Sequence, residues 1–213
     1  MKHERDVALP ARTSTKNERS PFCFVDIRGS TSLPETRLPY DVVFLLNSLF
    51  AALAEAVEDS GGYYSNFTGD GLMALFGLDV KKGAGAKAAL RCALSMFERL
   101  DSLNERLVGE LETPLAIGIG IHTGQAIVGR MGPPKTPIIS AVGDSVNTAA
   151  RLERMTRELG VSLVVSAETL RLAGLGTSAG LTQVSLRGRV ATMPVSALDK
   201  ASLRGILIRT LED

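Results

Sequence analysis

The sequence predicts an α/β sandwich, one mixed or antiparallel sheet with helices packed on it. Three observations lead there. Short β-rich runs alternate with stretches of helical period. Tight glycine turns such as Thr68-Gly-Asp-Gly71 join neighbouring β-rich runs into hairpins. Apolar residues make up 45% of 213 positions and charged residues 22%, enough for one full domain with a substantial core and too short to expect two.

Taken in order, Phe22–Ile27 reads as a buried strand. Pro39 suits a helix start, because its fixed φ is helical and the N–H it lacks would be unpaired there anyway. Val42, Val43, Leu45, Leu46, Leu49, Phe50, Leu53 and Val57 then recur at helical spacing until Gly61-Gly62 stops the helix. Tyr63–Phe67 and Leu72–Phe76 make a hairpin around Thr-Gly-Asp-Gly. Ala84 to about Leu103 is a second helix with Leu90, Ala93, Leu94, Phe97 and Leu100 on its apolar stripe. Leu115–Thr123 and Ala126–Val128 are expected as a strand pair around Gly124. Pro133–Pro137 is a loop and Ile138–Val142 a short strand. Asp144 or Ser145 is expected to cap a third helix running to about Leu159. Val161–Ser166 reads as a strand, Glu168–Ala173 as a short helix, and Val184–Leu186 with Val190–Leu198 as a last strand pair. Residues 1–20 are expected as a polar extension or linker, 21–198 as the folded domain and 199–213 as a tail.

Composition narrows the partners. Lys and Arg total 24 against 23 acids, a net charge of +1, so no basic field attracts nucleic acid and any phosphate must be held by local groups. Cys23 and Cys92 lie in apolar runs without a second Cys or a His at metal-ligand spacing, so they read as buried free thiols in a reducing compartment. The apolar stretches Val42–Ala54 and Pro114–Gly129 fall short of the roughly 20 unbroken residues of a membrane span. The N-terminus lacks the apolar core of a signal peptide. The expected location is the cytoplasm, or the cytoplasmic part of a longer protein, with no membrane contact by this segment.

Two aspartates carry the chemistry. Asp26 lies in Phe22-Cys-Phe-Val-Asp-Ile-Arg-Gly-Ser-Thr31 and Asp70 in Thr68-Gly-Asp-Gly-Leu-Met-Ala-Leu-Phe-Gly77, each where an apolar strand meets a turn. A carboxylate there must be compensated or it costs folding free energy. Two brought side by side repel unless a cation lies between them, and Mg²⁺ takes such oxygen ligands while sharing its shell with substrate phosphates. Either aspartate alone also reads as a turn residue. Gly29, Ser30 and Thr31 after Asp26 let backbone N–H groups converge on an anion. In Gly143-Asp-Ser-Val-Asn-Thr-Ala-Ala-Arg-Leu-Glu153, Asn147 and Arg151 are i and i+4 on one helix face, a fork of donors suited to developing negative charge. No acid stands three or four residues from Arg151, so a pair within the helix is closed to it, while a pair with a distant acid stays open. His122, alone on an apolar strand, reads as structural. No Gly-x4-Gly-Lys-Ser/Thr occurs, which excludes a Walker-type NTPase.

Phe-Val-Asp-Ile-x-Gly-Ser-Thr, Gly-Asp-Gly-x-Met-Ala-x-Phe-Gly, Gly-Ile-Gly-Ile-His-Thr-Gly and Gly-x-x-Val-Asn-x-Ala-Ala-Arg-Leu-Glu together resemble the motifs of the class III nucleotidyl cyclases, in the family's order. The resemblance runs from about Pro21 to Leu198 and is nearest to the bacterial adenylyl cyclases with a Thr or Ser at the base-reading position. It implies a ferredoxin-like βαββαβ core with extra C-terminal strands, working as a head-to-tail homodimer. It implies that Asp26 and Asp70, helped by the Ile27 carbonyl, hold two Mg²⁺ or Mn²⁺ ions, and that Asn147 and Arg151 come from the partner chain. Gly29, Ser30 and Thr31 would lie along the phosphates. In Leu186-Arg-Gly-Arg-Val190, Arg189 stands where the family has a Lys for the triphosphate. Asn66 and Ser140 stand where adenylyl cyclases usually have Lys and Asp or Thr, and guanylyl cyclases Glu and Cys. The implied reaction is ATP to 3′,5′-cyclic AMP and pyrophosphate; a guanylyl or relaxed purine cyclase and an inactive nucleotide-binding module are the alternatives. A regulatory domain outside the chain is a further expected partner.

Overall fold

The computed structural model describes residues 16–30, 38–68, 70–78, 84–133, 135–176, 180–186 and 191–209. Its elements are β1 (Lys16–Ile27), α1 (Pro39–Asp59), β2 (Tyr63–Thr68), β3 (Gly71–Leu75), α2 (Ala84–Arg106), β4 (Ile117–Met131), β5 (Ile138–Val142), α3 (Asp144–Glu158), β6 (Leu163–Ser166), α4 (Ala167–Leu172), β7 (Thr182–Val184), β8 (Met193–Leu198) and α5 (Lys200–Arg209). The strands form one sheet in the order β2-β3-β1-β4-β6-β8-β7, with β5 paired to β4 off that path. Its first four members, read β4-β1-β3-β2 with antiparallel neighbours throughout, give the ferredoxin-like core that the motifs implied. The strands from β6 onward are the expected C-terminal additions.

Alternation along β1 explains the layering, since successive strand residues point to opposite faces. Cys23, Val25 and Ile27 enter the core beneath α1 and α2, while Phe22 and Phe24 join a second cluster with Val146 and Ala149 of α3. Asp26 belongs to the second set by parity, so it faces α3. On β4, Ile117, Ile119 and Ile121 fill the α1/α2 side, which leaves Gly118 and Gly120 toward α3. A Cβ at Gly120 would stand 2.1 Å from the Glu153 backbone N and 2.5 Å from the Ala149 carbonyl O, so only glycine lets α3 lie this close to the sheet.

Among the described residues α1 is long and apolar enough to cross a membrane (mean hydropathy 1.6), beyond what its thirteen-residue apolar run suggested. Here Val42, Leu45, Leu49, Leu53, Ala56 and Val57 are buried in the core, each large side chain contributing about 1.5–3 kcal/mol by leaving water. Pro39 opens it, and Gly61, at φ 68°, closes it with N–H bonds from Gly61 to Glu58 and from Gly62 to Val57.

Four expectations change. The supposed strand pair around Gly124 is one continuous strand, held straight because β1 pairs with β4 from Lys16–Val128 to Ile27–Ile117. Strand β1 itself starts at Lys16, before the apolar run that announced it. Helix α3 is preceded by Gly143 with no side-chain cap; Asp144 is its first residue, where an acid favours the helix dipole, and Ser145 packs over Gly124. Residues beyond 198 include α5, whose Leu203, Ile206 and Leu207 are buried and which packs on α2. The thiols are as expected: Cys23 and Cys92 are free and buried, and burial pushes Cys92 up to about 12, which leaves it unreactive. His122 is also as expected, buried with Nδ1 2.9 Å from Ser166 Oγ.

Candidate active site

Asp26 is the penultimate residue of β1, with Gly71 of β3 on one side and Gly118 of β4 on the other. Two glycine neighbours leave its carboxylate room. Asp70 occupies the β2–β3 turn beside it, and the two carboxyls lie within hydrogen-bonding reach of each other. Ser30 Oγ donates to Asp70 Oδ2. The chain reaches Ser30 through Gly29, whose φ of 69° a side chain would resist.

The pair titrates unequally. Burial, then the charge and hydrogen bond of Asp70, raise the Asp26 carboxyl above its ordinary value, against the pull of Arg157 and the Ile27 N–H. Asp70 is held below its ordinary value: burial pushes it up, but the Ser30 hydroxyl, a backbone N–H and the Asp26 carboxyl outweigh this. Like charges this close oppose each other's ionisation, which pushes the two carboxyls in opposite directions. Among the described residues no group of three or more His, Cys, Asp or Glu side chains gathers to hold a metal. Two carboxylates and the adjacent Ile27 carbonyl nonetheless fit Mg²⁺ or Mn²⁺, which prefer hard oxygens and leave positions for water and phosphate.

Helix α3 adds residues that sequence reasoning missed. Arg157 Nη2 donates to Asp26 Oδ2 at 2.6 Å. Glu153 is 6% exposed, its Oε1 lacks a hydrogen-bond partner, and a Cβ at Gly118 would lie 3.0 Å from that oxygen. Burial, then the nearby Asp26 charge, raise the Glu153 carboxyl to about 7, while Arg157, Arg28 and Arg154 oppose them. Arg28 is itself committed, donating from Nη2 to the Val161 carbonyl at 2.7 Å. The signal for Glu153 was present, since it ends the fourth motif. Arg157 gave a misleading one: an acid four residues earlier suggests a local pair with Glu153.

Asn147 and Arg151 do not join the aspartates. Asn147 is exposed in the first turns of α3 and Arg151 half-buried one turn on, and neither side chain has an ion pair or hydrogen bond among the described residues. Six residues separate Arg151 from Arg157, about 9 Å along the axis and roughly 120° around it, so the helix that brings Arg157 to Asp26 carries Arg151 elsewhere. Ser140, half-buried on β5 opposite Gly129, and Asn66 on β2 opposite Met73 lie on strands that meet each other. Thr31 and Arg189 lie outside the described residues.

Sheet order and paired acids agree with the class the motifs resemble. The chain belongs to the adenylate and guanylate cyclase catalytic domain family, whose profile matches residues 14–195. It is 30% identical over 162 residues to an adenylate cyclase of Anabaena cylindrica, covering 74% of this chain and 31% of that protein. It is 36% identical over 143 residues to adenylate cyclase 1 of Rhizobium meliloti, covering 67% and 22%. The chain therefore matches less than a third of the length of these relatives. Among solved structures it is similar to the guanylyl cyclase Cya2, with TM-score 0.77 and 30% identity over 86% of this chain and 92% of that one. The adenylyl cyclase CyaB from P. aeruginosa follows at TM-score 0.75 and 25% identity, covering 87% and 96%.

Proposed function

We propose that this domain is an adenylyl cyclase that converts ATP to 3′,5′-cyclic AMP and pyrophosphate at the interface of a head-to-tail homodimer. The observation that carries the reading is the split of the polar residues. Asp26 and Asp70 are assembled as a pair within one chain, while Asn147 and Arg151 stand away from it without partners among the described residues. A second copy turned head to tail would deliver those donors to this pair and receive them in return, as isologous association requires.

Asp26, Asp70 and the Ile27 carbonyl would hold two Mg²⁺ or Mn²⁺ ions. Such ions, when bound, favour the deprotonated ribose 3′-oxygen and neutralise the triphosphate. The protein's residues do the rest. Ser30 orients Asp70 through its hydroxyl. Gly29, Ser30 and Thr31 would offer backbone N–H groups to phosphate oxygens. Arg151 and Asn147 would stabilise charge at the α-phosphorus as the 3′-oxygen attacks and pyrophosphate leaves, and Arg189 would hold the triphosphate. Asn66 and Ser140 would read the purine edge, a hydroxyl accepting from the adenine amino group; a base that leaves such groups unpaired is rejected. The adenylate cyclase names of the curated relatives favour ATP, whereas Cya2 is a guanylyl cyclase at comparable identity.

The test is incubation of the purified chain with ATP or GTP and Mn²⁺ or Mg²⁺ at several protein concentrations, with the cyclic products resolved. Cyclic AMP from ATP alone, with specific activity rising as protein concentration rises, is expected, since association governs a split site by mass action. Cyclic GMP as main product would transfer the reading to a guanylyl cyclase. Nucleotide binding without cyclic product would leave a binding module.

A further inference from the structure

The Asp26–Asp70 pair sits at the end of β1, and a third carboxyl, the buried Glu153, lies beside Gly118, the strand neighbour of Asp26. Arg157, on the last turn of α3, makes a direct ion pair with just one of them, Asp26, at 2.6 Å. Its side chain is 54% exposed and that of Asp26 25%. Its charge is nevertheless felt by Asp70 and by Glu153. The pairing is unexpected, because Glu153 lies one helical turn before Arg157, the spacing at which an acid and an arginine normally meet. Here the arginine crosses to the neighbouring strand instead, and the buried Glu153 Oε1 goes without a hydrogen-bond partner. Of the other cations near Glu153, Arg28 is held by the Val161 carbonyl and Arg154 is exposed. A buried carboxylate oxygen without a partner costs free energy, so its presence beside an arginine that could serve it calls for a reason.

We propose that Arg157 is a movable cation with two berths, Asp26 Oδ2 and Glu153, and that it competes with divalent metal for Asp26. The inference rests on the reading of Asp26 and Asp70 as metal ligands. In the first berth the guanidinium partly neutralises the aspartate pair and holds Asp26 beside Asp70. A divalent ion at Asp26 Oδ2 takes the lone pair the guanidinium uses and repels its charge, and the arginine is displaced. Its exposed, flexible side chain can then fall back one turn onto the Glu153 carboxylate, satisfying the oxygen that lacks a partner. Arg157 is thus a positioning residue: it sets how readily Asp26 accepts metal, without touching substrate. Glu153 lowers the cost of displacing it.

The experiment is titration of the purified full chain with Mn²⁺ alone, following the free ion by electron paramagnetic resonance. Wild type, D26N, R157Q, R157K, E153Q and the R157Q/E153Q double variant are compared, and thermal melts confirm that each is folded. Removing a half-exposed positive charge from the site is expected to tighten Mn²⁺ binding in R157Q about three- to tenfold, with R157K between R157Q and wild type. E153Q, lacking the second berth, should bind Mn²⁺ more weakly than wild type by about twofold or more. The double variant should match R157Q, because without the arginine the berth has nothing to receive, and that non-additivity is the signature of the pair. Mn²⁺ binding that depends on Asp26 but is the same in wild type and R157Q would overturn the proposal and leave the metal reading standing. Binding indifferent to D26N would overturn both.

Discussion

The two ends of α3 behave differently. At the last turns, Arg157 is paired with Asp26 and Glu153 is buried against Gly118. In the first half, Asn147 is exposed near the start and Arg151, at the midpoint, is half-buried without an ion pair among the described residues. The helix has 15 residues, about 22 Å at 1.5 Å per residue. The last turns serve this chain's own acids, while the side chains of Asn147 and Arg151 have no partner among the described residues. Under the proposed reading these are two half-sites, completed when a second copy is present.

The sharpest way to break that division is to disable the halves separately. D26N should lower cyclic product formation by roughly three orders of magnitude, and R151A by two to three, each without a large change in melting temperature. Mixed in equal amounts, the two inactive variants should recover about a quarter of wild-type activity, because half of the dimers are mixed and each of those has one intact site of two. Recovery on mixing can arise only if Asp26 and Arg151 act across chains. If the mixture stays as inactive as its components while both variants still associate, the two ends of α3 serve a site within one copy and the comparison collapses.

A second prediction strikes both ends at once. Gly120 is where α3 touches β4, and a Cβ there would sit 2.1 Å from a backbone nitrogen of the helix. G120A should therefore lift α3 and destabilise the fold by about 3 kcal/mol, because backbone cannot yield as a side-chain tip can. Activity should fall with it, since Arg157 and Arg151 ride on the same helix. Urea unfolding with a parallel activity assay checks this. Unchanged stability and turnover would mean that α3 is not seated on Gly120 as described.

What the sequence disclosed, and what it hid, follows the same near-versus-far distinction. The β2–β3 hairpin and the boundaries of α1 were legible because alternation, Pro39 and Gly61 act locally. Gly124 misled for the same reason: a glycine between two apolar runs reads as a turn, but pairing of Ser20 with Gly124 keeps β4 straight from a distant strand. Helix α5 escaped notice because its apolar stripe has meaning only against α2, far away in the chain. Asp26 and Asp70 stood out as acids at strand ends, and the structure brings them together. Arg157 could not be read, since its local neighbour Glu153 suggested the wrong partner and the β1–α3 contact is non-local. Ser30, expected near the phosphates, is found donating to Asp70, a link no spacing rule supplies.

The smallest expected effect tests the buried end of α3 by pH. The Glu153 carboxyl rises from an ordinary 4.5 to about 7 on folding. Between those values the native state binds more protons than the unfolded chain, so stability falls as pH increases. The contribution is fully present below about pH 4.5 and is lost as pH passes 7. E153Q carries no charge at any pH and is free of that loss. At pH 5 the two proteins should melt within about a degree of each other; by pH 8 the glutamine variant should be more stable by on the order of 1–2 kcal/mol, a shift of several degrees. Part of the Glu153 shift comes from the Asp26 charge, so the comparison reads the two linked carboxyls together. Parallel melting curves across this range would mean that Glu153 ionises freely in the folded protein. Its oxygen would then be well solvated, and the contrast between a sealed end of α3 and an open one would lose its electrostatic basis.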